Sequence, residues 1–197
     1  MSDIAYRYRL LSDGFLARIQ AAPANRWDAA SPCQGWTARD VVAHVINGHR
    51  GILAMVNGKP PAAADGVGIS SMADAPQVEP GADLAIAFKR CRNDMHAMLS
   101  DPDRAVTRLP GGPLGPVPAE QAADTLGSLE LLVHTWDLAR AVGGDEKLVP
   151  ELVARTHQSL LPHYAGLWAT GAFQPSIPAP DDADPQIAFL YFVGRQP

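Results

Sequence analysis

The sequence predicts an all-α fold, a helical bundle with short helical additions at its C-terminal end, and three observations predict it. Four stretches carry apolar residues three and four apart, the spacing of one face of an α-helix. Alternating apolar and polar runs of the strand type are scarce. Pro- and Gly-rich passages that stop helices part the four stretches. At 197 residues the chain suits one well-covered core better than two. We therefore take 1–197 as a single domain, with a bundle core at about 3–170 and a tail at 171–197.

The first helix covers 3–21, where Ile4, Leu11, Phe15 and Ile19 lie near helical spacing, Tyr8 and Leu10–Leu11 broaden the apolar face, and Pro23 follows the end. Residues 23–36 read as a crossing loop anchored by Trp27 and Trp36. Thr37 is then an N-cap with Asp40 three residues on, a capping box with Asp in place of the usual Glu. The second helix, about 38–57, is expected to bury Val41, Val42, Val45, Ile46, Ile52, Leu53 and Val56 and stops at Asn57-Gly58. Within it His44 points inward. His49, about 140° further round, is placed at or near the surface.

Residues 58–80 form a long Ala/Gly/Pro-rich loop, a lid over a site or simply a tolerated insertion. The third helix, about 82–100, carries Leu84, Phe88, Cys91, Met95 and Met98 at helical spacing. Val106–Leu109 suits a short extended segment. The fourth helix, about 118–142, starts with Pro118 in its first turn and ends at Gly143-Gly144. Gly127 inside it weakens the helix by about 1 kcal/mol relative to Ala, which points to a close backbone approach there. A further helix at about 150–170 is interrupted by Pro162, and a short apolar helix begins at Pro185. Its segment Ile187–Val193 can cover its own bundle or that of a second copy, so a homodimer is one expectation.

Composition narrows the function classes. Hydrophobic residues at 47% and charged residues at 19% are those of an ordinary globular protein, and a net charge of -5 without a Lys/Arg cluster argues against a nucleic-acid or anionic-membrane partner. There is no apolar stretch of signal-peptide or membrane-spanning length. Cys33 and Cys91 make no CxxC pair, so neither a disulfide framework nor a thiolate zinc site is indicated. A cytoplasmic protein is expected.

The chemistry-bearing stretch is Ser128–Arg140, an apolar helix that nevertheless carries Glu130, His134 and Asp137. Glu130 and His134 are four apart, so they project from one face and their heads converge. They are either ligands of a metal shared with a residue elsewhere, or a private hydrogen-bonded pair, and spacing alone favours the pair. His44 on the second helix would complete a shell of two imidazoles and one carboxylate, which suits zinc and also fits nickel or ferrous iron. Asp137 is better cast as an acceptor behind His134, or a packing residue, than as a ligand. His49, His96, His157 and His163 read as surface or structural residues, and Cys33 as a buried, inert thiol.

Three passages, Ser31-Pro-Cys-Gln-Gly-Trp-Thr-Ala-Arg-Asp-Val-Val-Ala-His44, Glu130-Leu-Leu-Val-His-Thr-Trp-Asp-Leu-Ala-Arg-Ala-Val-Gly143 and Gly194-Arg-Gln-Pro197, carry a resemblance to a known family. In them the chain resembles the actinobacterial metal-binding proteins related to the N-terminal domain of mycothiol-dependent maleylpyruvate isomerase, within the DinB-like four-helix bundle superfamily. The resemblance implies a divalent metal, typically zinc, held by a His on the second helix and a Glu and a His one turn apart on the fourth. Those positions fall on His44, Glu130 and His134. It also implies a low-molecular-weight thiol, mycothiol, as cosubstrate and an electrophile as its partner. A cation at contact distance favours the thiolate, which is the nucleophile.

In maleylpyruvate isomerase a separate C-terminal domain contributes a catalytic arginine, for which this chain leaves no room after its short helical tail. A thiol-dependent transferase is therefore expected rather than an isomerase. The alternatives are a metal-dependent hydrolase, in which the same metal activates water, and a non-catalytic binding module with a structural Glu–His pair.

Overall fold

The computed structural model describes residues 2–59, 78–79, 81–109, 114–169 and 174–197. Most of the 58–80 loop, and with it the lid reading, lies outside the described residues. Four long helices come first from the amphipathic stretches: α1 (Asp3–Ala21), α2 (Ala38–Val56), α3 (Leu84–Ser100) and, after the short turns α4 (Pro102–Ala105) and α5 (Ala119–Ala122), α6 (Ser128–Val142). α1 packs on α3 and α6, and α2 packs on the same two, so the four make a ring in which α1 faces α2 across the core. Among the described residues β pairing is limited to two isolated bridges, Ala30 with Thr37 and Arg108 with Pro118. The second bridge is the short extended segment expected near Val106–Leu109, tied by Leu109 N–H to the Val117 carbonyl at 2.9 Å.

Local sequence sets the helix ends. The Thr37 hydroxyl accepts the Asp40 amide, and the Asp40 carboxylate accepts the Thr37 amide at 2.8 Å, so the shorter acid closes the box. Thr37→Ala is expected to cost about 1 kcal/mol, read as a lowered urea midpoint at unchanged slope. Gly143 ends α6 in the left-handed region at φ 75°. The core between the four helices is filled by large side chains, with Phe15 and Phe88 meeting edge to face at 5.0 Å between centroids.

The fourth stretch is not one regular helix. Between α5 and α6 residues Ala123–Gly127 form a π-helical segment, which widens the backbone one turn before Glu130. A Cβ on Gly127 would lie 3.8 Å from His49 Nε2, an ordinary contact, so crowding does not require the glycine.

His49 corrects the sequence expectation. It is 2% exposed, its Nδ1–H donates to the Val45 carbonyl at 2.7 Å, and its ring lies 5.6 Å from that of Tyr8. Placing it outside assumed one buried stripe on α2. With α3 and α6 both packed on that helix, more of its circumference is covered.

The C-terminal part wraps the bundle. α7 (Pro150–Leu160) packs against α6, Pro162 lies in a 3-10 turn (Leu161–His163) leading to α8 (Tyr164–Ala169), and α9 (Pro185–Phe192) packs on α7. Phe189, Leu190 and Val193 are buried within this chain, so that part of the segment Ile187–Val193 packs on its own chain, while Ile187, Ala188, Tyr191 and Phe192 are partly exposed.

Candidate metal centre

α2 and α6 lie side by side, and that contact brings the three residues singled out by spacing to one point. His44 Nε2 lies 2.7 Å from Glu130 Oε2, and His134 Nε2 lies 3.0 Å from the same oxygen. One ligand atom from each of the three falls within 4.8 Å of the other two. The imidazole rings meet nearly perpendicular, at 80° and 5.0 Å between centroids. Exposure is graded across the group: 30% for the His44 side chain, 23% for Glu130 and 6% for His134. The cluster is thus partly exposed on the His44 and Glu130 side and enclosed on the His134 side.

Behind His134 the arrangement is buried and hydrogen-bonded. Asp137 is 0% exposed, and His134 Nδ1 sits 2.9 Å from its Oδ2. Arg195 reaches the same carboxylate with both arms of its guanidinium, Nε to Oδ1 and Nη2 to Oδ2, each at 2.9 Å. The Cys33 thiol donates to Oδ2 at 3.3 Å and accepts from Arg195 Nη2 at 3.3 Å. Burial pushes the Asp137 carboxyl up, but the Arg195 charge and the bonds to it and to His134 outweigh this and hold it at about 2. An ionised carboxylate only accepts, so His134 Nδ1 must donate, which leaves Nε2 to face Glu130 either as a second N–H donor or, with that proton displaced, as a ligating nitrogen.

The electrostatics of the front follow. Burial disfavours the Glu130 carboxylate, yet the two imidazoles hold its pKa well below the usual range. Burial lowers the His134 pKa, but its bonds to Asp137, Cys33 and Glu130 more than compensate and raise it. Both shifts have one physical cause, a carboxylate oxygen held 2.7–3.0 Å from two ring nitrogens, an arrangement that favours positive charge beside it, from a proton or from a cation. The donor set fits a divalent ion, and the Asp137–His134 contact is the carboxylate–histidine support that such ligands receive.

A second donor group, Cys33, His134 and Asp137, also meets within 4.8 Å. The Arg195 guanidinium already contacts Asp137 and Cys33 there, so a positive charge occupies that side.

A family model described as the mycothiol maleylpyruvate isomerase N-terminal domain matches residues 8–139, well over half of the chain. The chain belongs to this family. The family span contains Cys33, His44, Glu130, His134 and Asp137, whereas Arg195 lies beyond it. A crystal structure of the mycothiol-dependent maleylpyruvate isomerase superposes with a TM-score of 0.60 at 18% identity, over 78% of this chain and 66% of that one. A histidine-to-alanine mutant of the same isomerase gives 0.57 at 16% identity with the same coverage. These likenesses show that the chain shares the all-α fold of the isomerase, of whose length it spans 66%. Two Mycobacterium tuberculosis proteins, the uncharacterized proteins MT0763 and Rv0738, are each 29% identical over 201 residues, covering 98% of this chain and 98% of their own.

Reading the spacing picked out His44, Glu130 and His134 and cast Asp137 as the acceptor behind His134, and all four meet here. It missed three neighbours. Trp36, read as a loop anchor, lies with its ring 4.8 Å from that of His44 and so backs one imidazole. Cys33, read as inert, is buried as expected but bonded into the Asp137 network. Arg195 went unremarked as a site residue. All three stand inside the passages Ser31–His44 and Gly194–Pro197, which was the signal available for them.

Proposed function

We propose that this member of the family is a divalent-metal-dependent thiol transferase, with His44, Glu130 and His134 as the ligands, zinc as the metal and mycothiol or a similar low-molecular-weight thiol as cosubstrate. The convergence of one carboxylate oxygen and two imidazole nitrogens within 4.8 Å is the observation that supports it. Nickel and ferrous iron suit the same three donors. A bound cation of this kind would supply a lowered pKa to a thiol at contact distance, so that thiolate is available near neutral pH.

The chain's own residues supply the rest. Asp137 keeps the proton of His134 on Nδ1, leaving Nε2 free to ligate. The partly exposed His44 and Glu130 would give that side to the thiol and the electrophile, and Trp36 makes an apolar wall beside His44. No helix among the described residues is long and apolar enough to cross a membrane, and Cys33 and Cys91 are both free, which supports a cytoplasmic setting for thiol chemistry.

Metal content tests the reading. Wild-type protein purified without chelator is expected to carry close to one divalent ion per chain, and His44→Ala much less. Full occupancy in the variant, or an empty wild type that takes up no added zinc, would overturn it. Turnover of electrophiles with and without mycothiol then separates thiol transfer from metal-dependent hydrolysis, which needs no thiol.

A further inference from the structure

We propose that Arg195 is a positioning residue of the metal centre: it locks the plane of the Asp137 carboxylate, and through it the orientation of the ligand His134. The proposal rests on the reading that His44, Glu130 and His134 hold a divalent ion. It adds a residue outside the span that defines the family.

The geometry carries it in three steps. Asp137 is fully buried, and its two oxygens take Arg195 Nε, Arg195 Nη2, His134 Nδ1 and the Cys33 thiol. A two-armed guanidinium fixes the plane of a carboxylate as a single ammonium does not. With that plane fixed, Oδ2 is held 2.9 Å from Nδ1, which sets both the tautomer and the ring direction of His134 and so aims Nε2 at the ligand point.

The tail is built to hold Arg195 in that place. Gly194 adopts φ 74°, and a Cβ there would come within 2.6 Å of the Gln174 Cβ and 2.8 Å of the Pro175 carbonyl, so no other residue fits. The Arg195 amide donates to the Leu190 carbonyl at 2.8 Å, capping α9, and its Nη1 donates to the Val193 carbonyl at 3.3 Å. The guanidinium therefore enters the site from a rigid helix end.

A purely structural ion pair would stabilise the fold without affecting metal affinity, and the test separates the two. Zinc affinity of the full chain is measured by competition with a chromophoric chelator for wild type, Arg195→Met, Arg195→Lys and the control Arg7→Met. Arg7 pairs with Asp124 at 2.6 Å outside the centre. Thermal unfolding of each metal-free form is recorded alongside. The expected result is zinc binding weakened about 10–100-fold in both Arg195 variants and changed less than about twofold in Arg7→Met, whatever the ordering of their melting temperatures.

Arg195→Lys keeps the charge but loses the fork, and it decides the matter should Arg195→Met fail to fold. Wild-type affinity in Arg195→Lys overturns the positioning role while leaving the three ligands standing. No zinc binding by the wild type removes the metal reading itself, and this proposal with it.

Discussion

Asp137→Ala is expected to lower the stability of the metal-free protein by about 3–5 kcal/mol. Asp137 is the shared acceptor of Arg195, His134 and Cys33, all of them buried or nearly so. Removing it leaves a guanidinium in the protein interior without its countercharge and an imidazole N–H without an acceptor, and each uncompensated group bears its own desolvation cost. Urea denaturation followed by far-UV circular dichroism checks the value.

The same pair gives an acid limb. The Asp137 carboxyl is depressed from 3.8 to about 2 in the folded state. A depressed carboxyl stabilises the fold above its unfolded value, and that contribution is lost as pH falls through the folded value. Stability should therefore drop between about pH 4 and pH 2 in the wild type, and Asp137→Ala should lack about 2 kcal/mol of that drop. An equal acid slope in the two proteins would contradict the assignment.

The second large effect is on metal-linked stability. A ligand bound only by the folded state and present at 100 times its dissociation constant adds about 2.7 kcal/mol. Chelator should accordingly lower the melting temperature of the wild type. His134→Ala should melt lower than the metal-loaded wild type and show no response to chelator, because it lacks the most enclosed of the three ligands. Scanning calorimetry with and without chelator reads this directly. A wild type whose melting is indifferent to chelator and to added zinc would favour the alternative in which Glu130 and His134 are a structural pair.

The grouping of the candidate residues was legible in the sequence because helical periodicity is a local rule, whereas their reading as metal ligands rested on the family resemblance and not on spacing. Glu130, His134 and Asp137 sit four and three residues apart, so their common face follows from one helix, and His44 follows from an apolar neighbourhood on another. The caps were legible for the same reason, Thr37 and Asp40 being three residues apart.

What periodicity could not convey is how a second element lands. Cys33 meets Asp137 across 104 residues and Arg195 meets it across 58, and no local spacing encodes either. His49 failed for a related reason: a helical wheel assigns one buried stripe, whereas α2 is packed by two helices. The π segment at Ala123–Gly127 was hidden because its residues suit an α-helix equally well, and only the hydrogen-bond register distinguishes the two.

The contact of Arg195 with Cys33 spans 162 residues, and with Asp137 it ties the crossing loop, α6 and the tail into one closed circuit. Contacts of such range carry a large loop-closure cost until the helices have paired, so they are expected to form late in folding. Weakening them then shows mainly as faster escape from the native state, with the rate of reaching it little changed. The network behind His134 is thus expected to slow unfolding as well as to hold that side chain in place, which unfolding rates of wild type and Arg195→Lys would read.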